Sequence, residues 1–167
     1  GNSTRLEKTV DYDEAYGTLP TPTRTGYTFD GWYTASSGGN PVSTSTKMTS
    51  SSWNEGEKAN IYAHWTANSY KITFNQNSGS GGSSSTTVTY DKAMPSITIP
   101  KRTGYSFVGY YDSPQTDYGD TGGGTQYYKS DGTSARNWDK ATDTTLYARW
   151  LPRDDYKVDI NILSPTG

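Results

Sequence analysis

Residues 22–33 read PTRTGYTFDGWY, and residues 100–111 read PKRTGYSFVGYY. The second stretch is the first displaced by 78 positions. Leftward, residues 9–15 (TVDYDEA) return as 87–93 (TVTYDKA) at the same displacement, so 13 of the 25 aligned positions from 9 to 33 are identical. Rightward, residues 61–65 (IYAHW) return as 146–150 (LYARW), displaced by 85. Repetition on this period predicts an array of small supersecondary units rather than one enzyme fold.

The residues inside the repeat are those of β structure. Pro22 and Pro100 fix φ and end the segment before them. Gly26 and Gly104 are placed to take φ > 0 just ahead of a strand. Tyr27, Phe29 and Gly31 then alternate, as do Tyr105, Phe107 and Gly109. Glycine inside such a strand predicts a bulge, or an aromatic ring lying across bare backbone. Residues 70–75 (YKITFN) put Tyr70, Ile72 and Phe74 on one face, and residues 86–90 (TTVTY) do the same with Val88 and Tyr90. The Gly/Ser run at 77–85 between them reads as the tip of a long hairpin. Helical periodicity is weak: residues 46–49 and 91–94 each support about one turn.

The expected fold class is therefore β-rich α+β. It comprises two tandem modules with mostly antiparallel or mixed sheets and at most a short helix each. Their expected bounds are 1–67 and 68–151, with an insertion near 117–128, and 152–167 form a linker and the first strand of a following module. The first module lacks a counterpart of residues 70–75. The run from Tyr156 to Ile162 (YKVDINI) repeats that strand at a displacement of 86.

Only 30% of the residues are hydrophobic, yet there are 15 Tyr, 5 Trp and 3 Phe. Each ring buries about 150–250 Å², and aliphatic side chains are scarce, so matched aromatics are the expected cores. In the first module these are Tyr27, Phe29, Trp32, Trp53, Tyr62 and Trp65. In the second they are Phe74, Tyr105, Phe107, Tyr110, Trp138, Tyr147 and Trp150. Trp53 and Trp138 stand nine residues before Tyr62 and Tyr147 and so read as equivalents. The five tryptophans could alternatively form a sugar-stacking platform. Tyr118, Tyr127 and Tyr128 have no evident counterpart and are the expected interaction residues.

Chemistry is poorly provided for. Cysteine is absent, which removes disulfides, thiolate metal sites and thiol nucleophiles. The net charge is −2 without a basic run, so nucleic acid is not an expected partner. No apolar run approaches the ~20 residues that cross a bilayer. His64, the single histidine, is replaced by Arg149 in the other copy, which a general base would not tolerate. It is expected to face outward as a polar strand residue. Asp112, Asp117, Asp120 and Asp131 surround the insertion but lack the ordered spacing of a calcium loop. The glycines of 118–126 lack the Gly-Lys-Ser/Thr ending of a phosphate cradle. No catalytic residue, metal or cofactor is expected.

The segment 19–33 with 62–66 (YAHWT), and its echo in 72–75, 88–90, 100–111 and 146–150, resembles the internalin B-type repeat, also called the Listeria–Bacteroides repeat. The resemblance covers roughly residues 9–150. It implies small β-grasp-like modules arrayed in secreted or surface-anchored bacterial proteins, where they serve as stalks, spacers or adhesion modules without catalytic residues. The implied location is extracellular, at the cell surface or cell wall. The implied partners are neighbouring modules, a host or bacterial surface protein, or a glycan. Tyr110 stands where the family has Trp, and the insertion is atypical. The missing first strand predicts that module one borrows one, with Tyr156 to Ile162 as donor.

Overall fold

A computed structural model describes residues 7–49, 60–115 and 123–154. The chain separates into two units, 1–66 and 67–167. Among the described residues there is no α-helix, and the turns expected at 46–49 and 91–94 do not become helical. At 91–94 the chain instead turns tightly, with Asp91 at φ 58°.

Unit 1 holds β1 (Tyr27–Tyr33), β2 (Pro41–Val42) and β3 (Tyr62–Ala67) in the order β2-β1-β3. β1 and β2 are antiparallel, with Trp32 opposite Val42. Unit 2 adds β4 (Ser69–Asn75), β5 (Ser85–Thr89), β6 (Tyr105–Tyr111), β7 (Gln126–Lys129) and β8 (Thr144–Pro152) in the order β5-β4-β8-β6-β7. β4 and β8 run parallel, and every other pair in that sheet is antiparallel. A parallel pair needs a crossover connection, and β5, β6 and β7 supply it.

β4 owes its single buried face to its alternation. Ile72 and Phe74 are buried while Lys71, Thr73 and Asn75 are exposed. Together with Val88, Leu146, Ala148 and Trp150 they form the core of unit 2. Between β4 and β5 the Gly/Ser run is indeed a hairpin tip. Gln76 closes it, accepting from Gly82 N–H (3.2 Å) and donating to Gly82 O (3.3 Å). Trp150 Nε1–H donates to Gln76 O (3.1 Å), and a Cβ on Gly79 would stand 2.5 Å from the Trp150 ring. The tip therefore lies against Trp150.

The same aromatic geometry appears in each unit. Phe29 meets Trp32 at 5.6 Å and Trp65 at 5.3 Å; Phe107 meets Tyr110 at 5.2 Å and Trp150 at 5.5 Å, all edge-to-face. Arg24 lies 3.7 Å above the Tyr27 ring, and Arg102 lies 3.9 Å above Tyr105. Gly26 and Gly104 have φ of 79° and 78°, as the turn before each strand requires. Gly109 sits at a register shift of β6 against β8, the bulge expected there.

The burial of the two copies differs. Trp150 and Tyr110 are 1% and 0% exposed, whereas Trp65 and Trp32 are half-buried and Val42 is the one buried hydrophobic among the described residues of unit 1. Among the described residues of unit 1 no strand takes the place that β4 has beside β8. Val88 in β5 is buried and paired; its counterpart Val10 lies in a segment without ladder pairing, and Tyr12 is 67% exposed.

Three sequence expectations need correction. Tyr62, expected in the core, is exposed because Ala63 and Trp65 take the opposite parity along β3. Tyr147, on the matching face of β8, is half-buried. The partner of Trp138 is also not Trp53, which lies outside the described residues. Asp91 N–H donates to Trp138 O and Trp138 N–H to Lys92 O; in unit 1 the matching bonds are Asp13 N–H to Met48 O and Met48 N–H to Glu14 O. Met48 therefore occupies the place of Trp138.

Candidate functional site

Of the expected interaction residues, Tyr118 lies outside the described residues. Tyr127 and Tyr128 are not available at the surface: they are 1% and 0% exposed. The reason is that β7 pairs with β6 and both of its faces are covered. Tyr128 stands opposite Tyr110 and packs edge-on against Phe74 at 5.5 Å. It has a counterpart after all, since Val42 holds the same position opposite Trp32. Tyr127 points to the other face, 5.2 Å from Trp138, with Arg136 and Lys140 over its ring and its hydroxyl donating to Asp139 (2.6 Å).

Burial pushes the Tyr110 and Tyr128 phenols up to about 12 from 10.0. Burial, then the Asp139 carboxylate, raises Tyr127 further. Each is stabilised as the neutral phenol in the folded state. Their contribution to stability is therefore intact below pH 10 and is lost as the pH rises from 10 through 12. Titration followed by tyrosinate absorbance is expected to show exposed tyrosines ionising first. A later, cooperative step should coincide with loss of near-ultraviolet circular dichroism. A single broad step with the fold intact would contradict this burial.

His64 lies on the same face of β3 as the exposed Tyr62 and Thr66, but half-buried there. Its ring stacks on Tyr33 at 3.9 Å, and Nε2–H donates to Ala35 O (2.9 Å). Arg149 does the equivalent work in unit 2. Its guanidinium lies 3.9 Å above Tyr111 and donates to Ser113 Oγ (3.0 Å) and to Gly123 O. A flat donor on a tyrosine ring, bonded to the residue two positions after that tyrosine, is what both copies share. That geometry explains how histidine and arginine exchange, and it commits His64 to structure.

The carboxylates near the insertion are also engaged. Asp112 accepts from Thr125 N–H (2.7 Å) and pairs with Lys140 (3.0 Å). Burial would raise its pKa, but the Thr125 hydrogen bond and the Lys140 charge outweigh it and hold the carboxyl below its usual range. Asp131 accepts from Thr133 Oγ1–H (2.6 Å) and N–H (2.9 Å), which lower it. Asp117 and Asp120 lie outside the described residues. Among the described residues no three His, Asp or Glu side chains gather as metal ligands.

Trp138 and Trp150 are sealed in the core and cannot present a stacking platform. A groove of about 430 Å³ in unit 2 is lined in part by Lys101, Arg102, Arg153, Tyr105, Phe107 and Trp150. Its lining includes serine and threonine hydroxyls but no carboxylate or imidazole. It has no general base to activate them.

The chain matches the Listeria-Bacteroides repeat domain twice, over residues 1–63 and 70–149. It is similar to Internalin H of Listeria monocytogenes serovar 1/2a (strain ATCC BAA-679 / EGD-e), 32% identical over 167 aligned residues, covering 95% of this chain and 26% of the relative. It is also similar to a protein of Evansella cellulosilytica named "Putative Gly-rich membrane protein", 27% identical over 160 residues, covering 90% of this chain and 15% of that one. The chain thus spans about a quarter or less of the length of these relatives. No solved structure matches it. No helix among the described residues is long and apolar enough to cross a membrane. With two copies of the motif and two copies of its aromatic geometry, the chain belongs to the Listeria-Bacteroides repeat family.

Proposed function

We propose that this chain is a non-catalytic spacer in a bacterial secreted or surface protein, built as tandem modules that hold an adhesive or receptor-binding segment away from the cell. The observation that carries this reading is the exchange of His64 for Arg149 on one shared scaffold of rings. What the two copies share at this position is packing against a tyrosine ring, and the imidazole of one copy is replaced by a guanidinium in the other. Similarity to Internalin H supports a surface or secreted setting. The order β5-β4-β8-β6-β7 around a parallel centre supports reading the second module as β-grasp-like.

The experiment interposes the chain between a wall anchor and a reporter epitope on a Gram-positive cell. The reporter is expected to become accessible to antibody with the chain in place and to remain masked when attached directly. The isolated chain should leave a glycan array blank. An unmasked reporter in both arms would overturn the spacer role, and glycan capture would replace it with a carbohydrate-binding one.

A further inference from the structure

We propose that unit 2 is a tension-resisting link, in which force drawn along the chain loads the parallel β4–β8 pair in shear. Among the described residues β4 is the first strand of unit 2 and β8 the last. The two are neighbours in the sheet and run in the same direction, with Ile72 opposite Thr144 and Asn75 opposite Tyr147. The start of β4 and the end of β8 therefore lie at opposite ends of one ladder. Three residues of β4 precede Ile72 and eight of β8 follow Thr144, which sets Ser69 and Pro152 about 35 Å apart along the strand direction.

Pulling those two points apart slides β4 and β8 past each other. The ladder bonds lie across the pull and share it, so none yields until all are strained. Pulling two points at the same end opens the bonds one after another instead. Every other pair in this sheet is antiparallel. Had β4 and β8 been so too, entry and exit would share one end and the pair would unzip.

Side chains continue the ladder at both ends. Ahead of it Lys71 N–H donates to Asp143 Oδ1 (2.8 Å). Beyond it Asn77 Nδ2–H donates to Ala148 O (3.3 Å) and Trp150 Nε1–H to Gln76 O (3.1 Å). The pair is also interior to the sheet, with β5 flanking β4 and β6 flanking β8. Ile72, Phe74 and Leu146 are buried. Water that would replace a stretched bond is kept off that face, where hydrogen bonds are stronger than in water. The use of such strength rests on the spacer reading, since a tether between a cell and an adhesive segment is pulled; the shear geometry does not.

The test is single-molecule stretching of the 1–167 chain. Cysteine is absent, so thiols introduced in pairs are unique handles. Ser69→Cys with Pro152→Cys pulls in shear. Ser69→Cys with Ala141→Cys, at an exposed position just ahead of β8, pulls at one end. All three positions stand ahead of Tyr156 to Ile162, the expected donor run, which lies outside the described residues, and unit 1 is outside both stretched spans. The unfolding force in shear is expected to exceed the other by roughly twofold or more, because forced unfolding follows the barrier on the pulled path and not the equilibrium stability. Asn77→Gly deletes a bond at the far end of the ladder, at a residue already at φ 46°. It should lower the shear force and leave the one-end force unchanged. Equal forces for the two handle pairs, or a loss in Asn77→Gly that is alike in both, would overturn the proposal. The force ratio is read without a cell, so equal forces beside an unmasked reporter would strike the shear link and leave the spacer standing.

Discussion

Replacing Trp150 with alanine is expected to cost unit 2 about 3–5 kcal/mol, the range for deleting a fully buried large aromatic. Domains of this size hold only about 5–15 kcal/mol in all, so the change should remove a large share of the stability of unit 2. The cause is specific. Trp150 is 1% exposed, meets Phe107 edge-on, donates to Gln76 O and carries the β4–β5 hairpin tip at Gly79. Removing it opens a cavity under that tip and leaves a carbonyl without its donor. The same change at Trp65 removes a half-buried ring. It should cost no more than about half as much, because less apolar area leaves water there to begin with. Urea denaturation of each variant, read through unit-specific amide exchange, measures the difference. Equal losses would mean that the two copies are equally well packed.

Gly109→Ala is the second large effect. Gly109 has φ 148°, a region that side chains rarely enter. A Cβ there would collide with Tyr128 O and stand 2.5 Å from Gln126 Nε2. The strained backbone costs about 1–3 kcal/mol, and overpacking against β7 adds about 1–3 kcal/mol more. Gly31 in unit 1 also has positive φ, at 133°, but a Cβ there meets only Tyr33 Cε2 at 3.6 Å. Gly31→Ala should therefore pay the backbone term alone. Thermal melts should rank the two in that order. Faster exchange at Tyr127 and Tyr128 in the Gly109 variant would locate the damage on the β6–β7 ladder. The reverse ranking would mean that the bulge does not press on β7.

Local chemistry made much of this fold legible. The prolines, Gly26 and Gly104 mark turns by their own conformational limits. The alternation of YKITFN identifies a strand with one buried face, and the Gly/Ser run between two such strands identifies a hairpin. The parallel pairing of β4 with β8 was out of reach, since no short-range pattern encodes a partner about 70 residues away. Tyr128 misled because its counterpart is Val42, a side chain unlike it in all but position. Met48 was hidden behind Trp53 for a similar reason. Tyr33 to Met48 is 15 residues and Tyr111 to Trp138 is 27, so the insertion and a later shortening partly offset and the tryptophans fell into a false register. Tyr62 was assigned by residue type, whereas strand parity sets its exposure.

The candidate site was legible chiefly as a lack. Replacement of His64 by Arg149 argued against acid–base chemistry before any geometry was known. The shared seat on Tyr33 and Tyr111 was not foreseeable, because a ring stack across strands depends on register. The burial of Tyr127 and Tyr128 was equally hidden, as both faces of β7 are covered by elements distant in sequence.

The central claim is that the duplicated rings are interior packing and not a recognition surface. Acrylamide quenching of chains that keep Trp138 or Trp150 as the sole tryptophan, the others changed to phenylalanine, tests it most directly. The account predicts blue-shifted emission, weak quenching and no response to added oligosaccharides until the fold is lost. Strong quenching in the folded chain, relieved by a sugar, would contradict it.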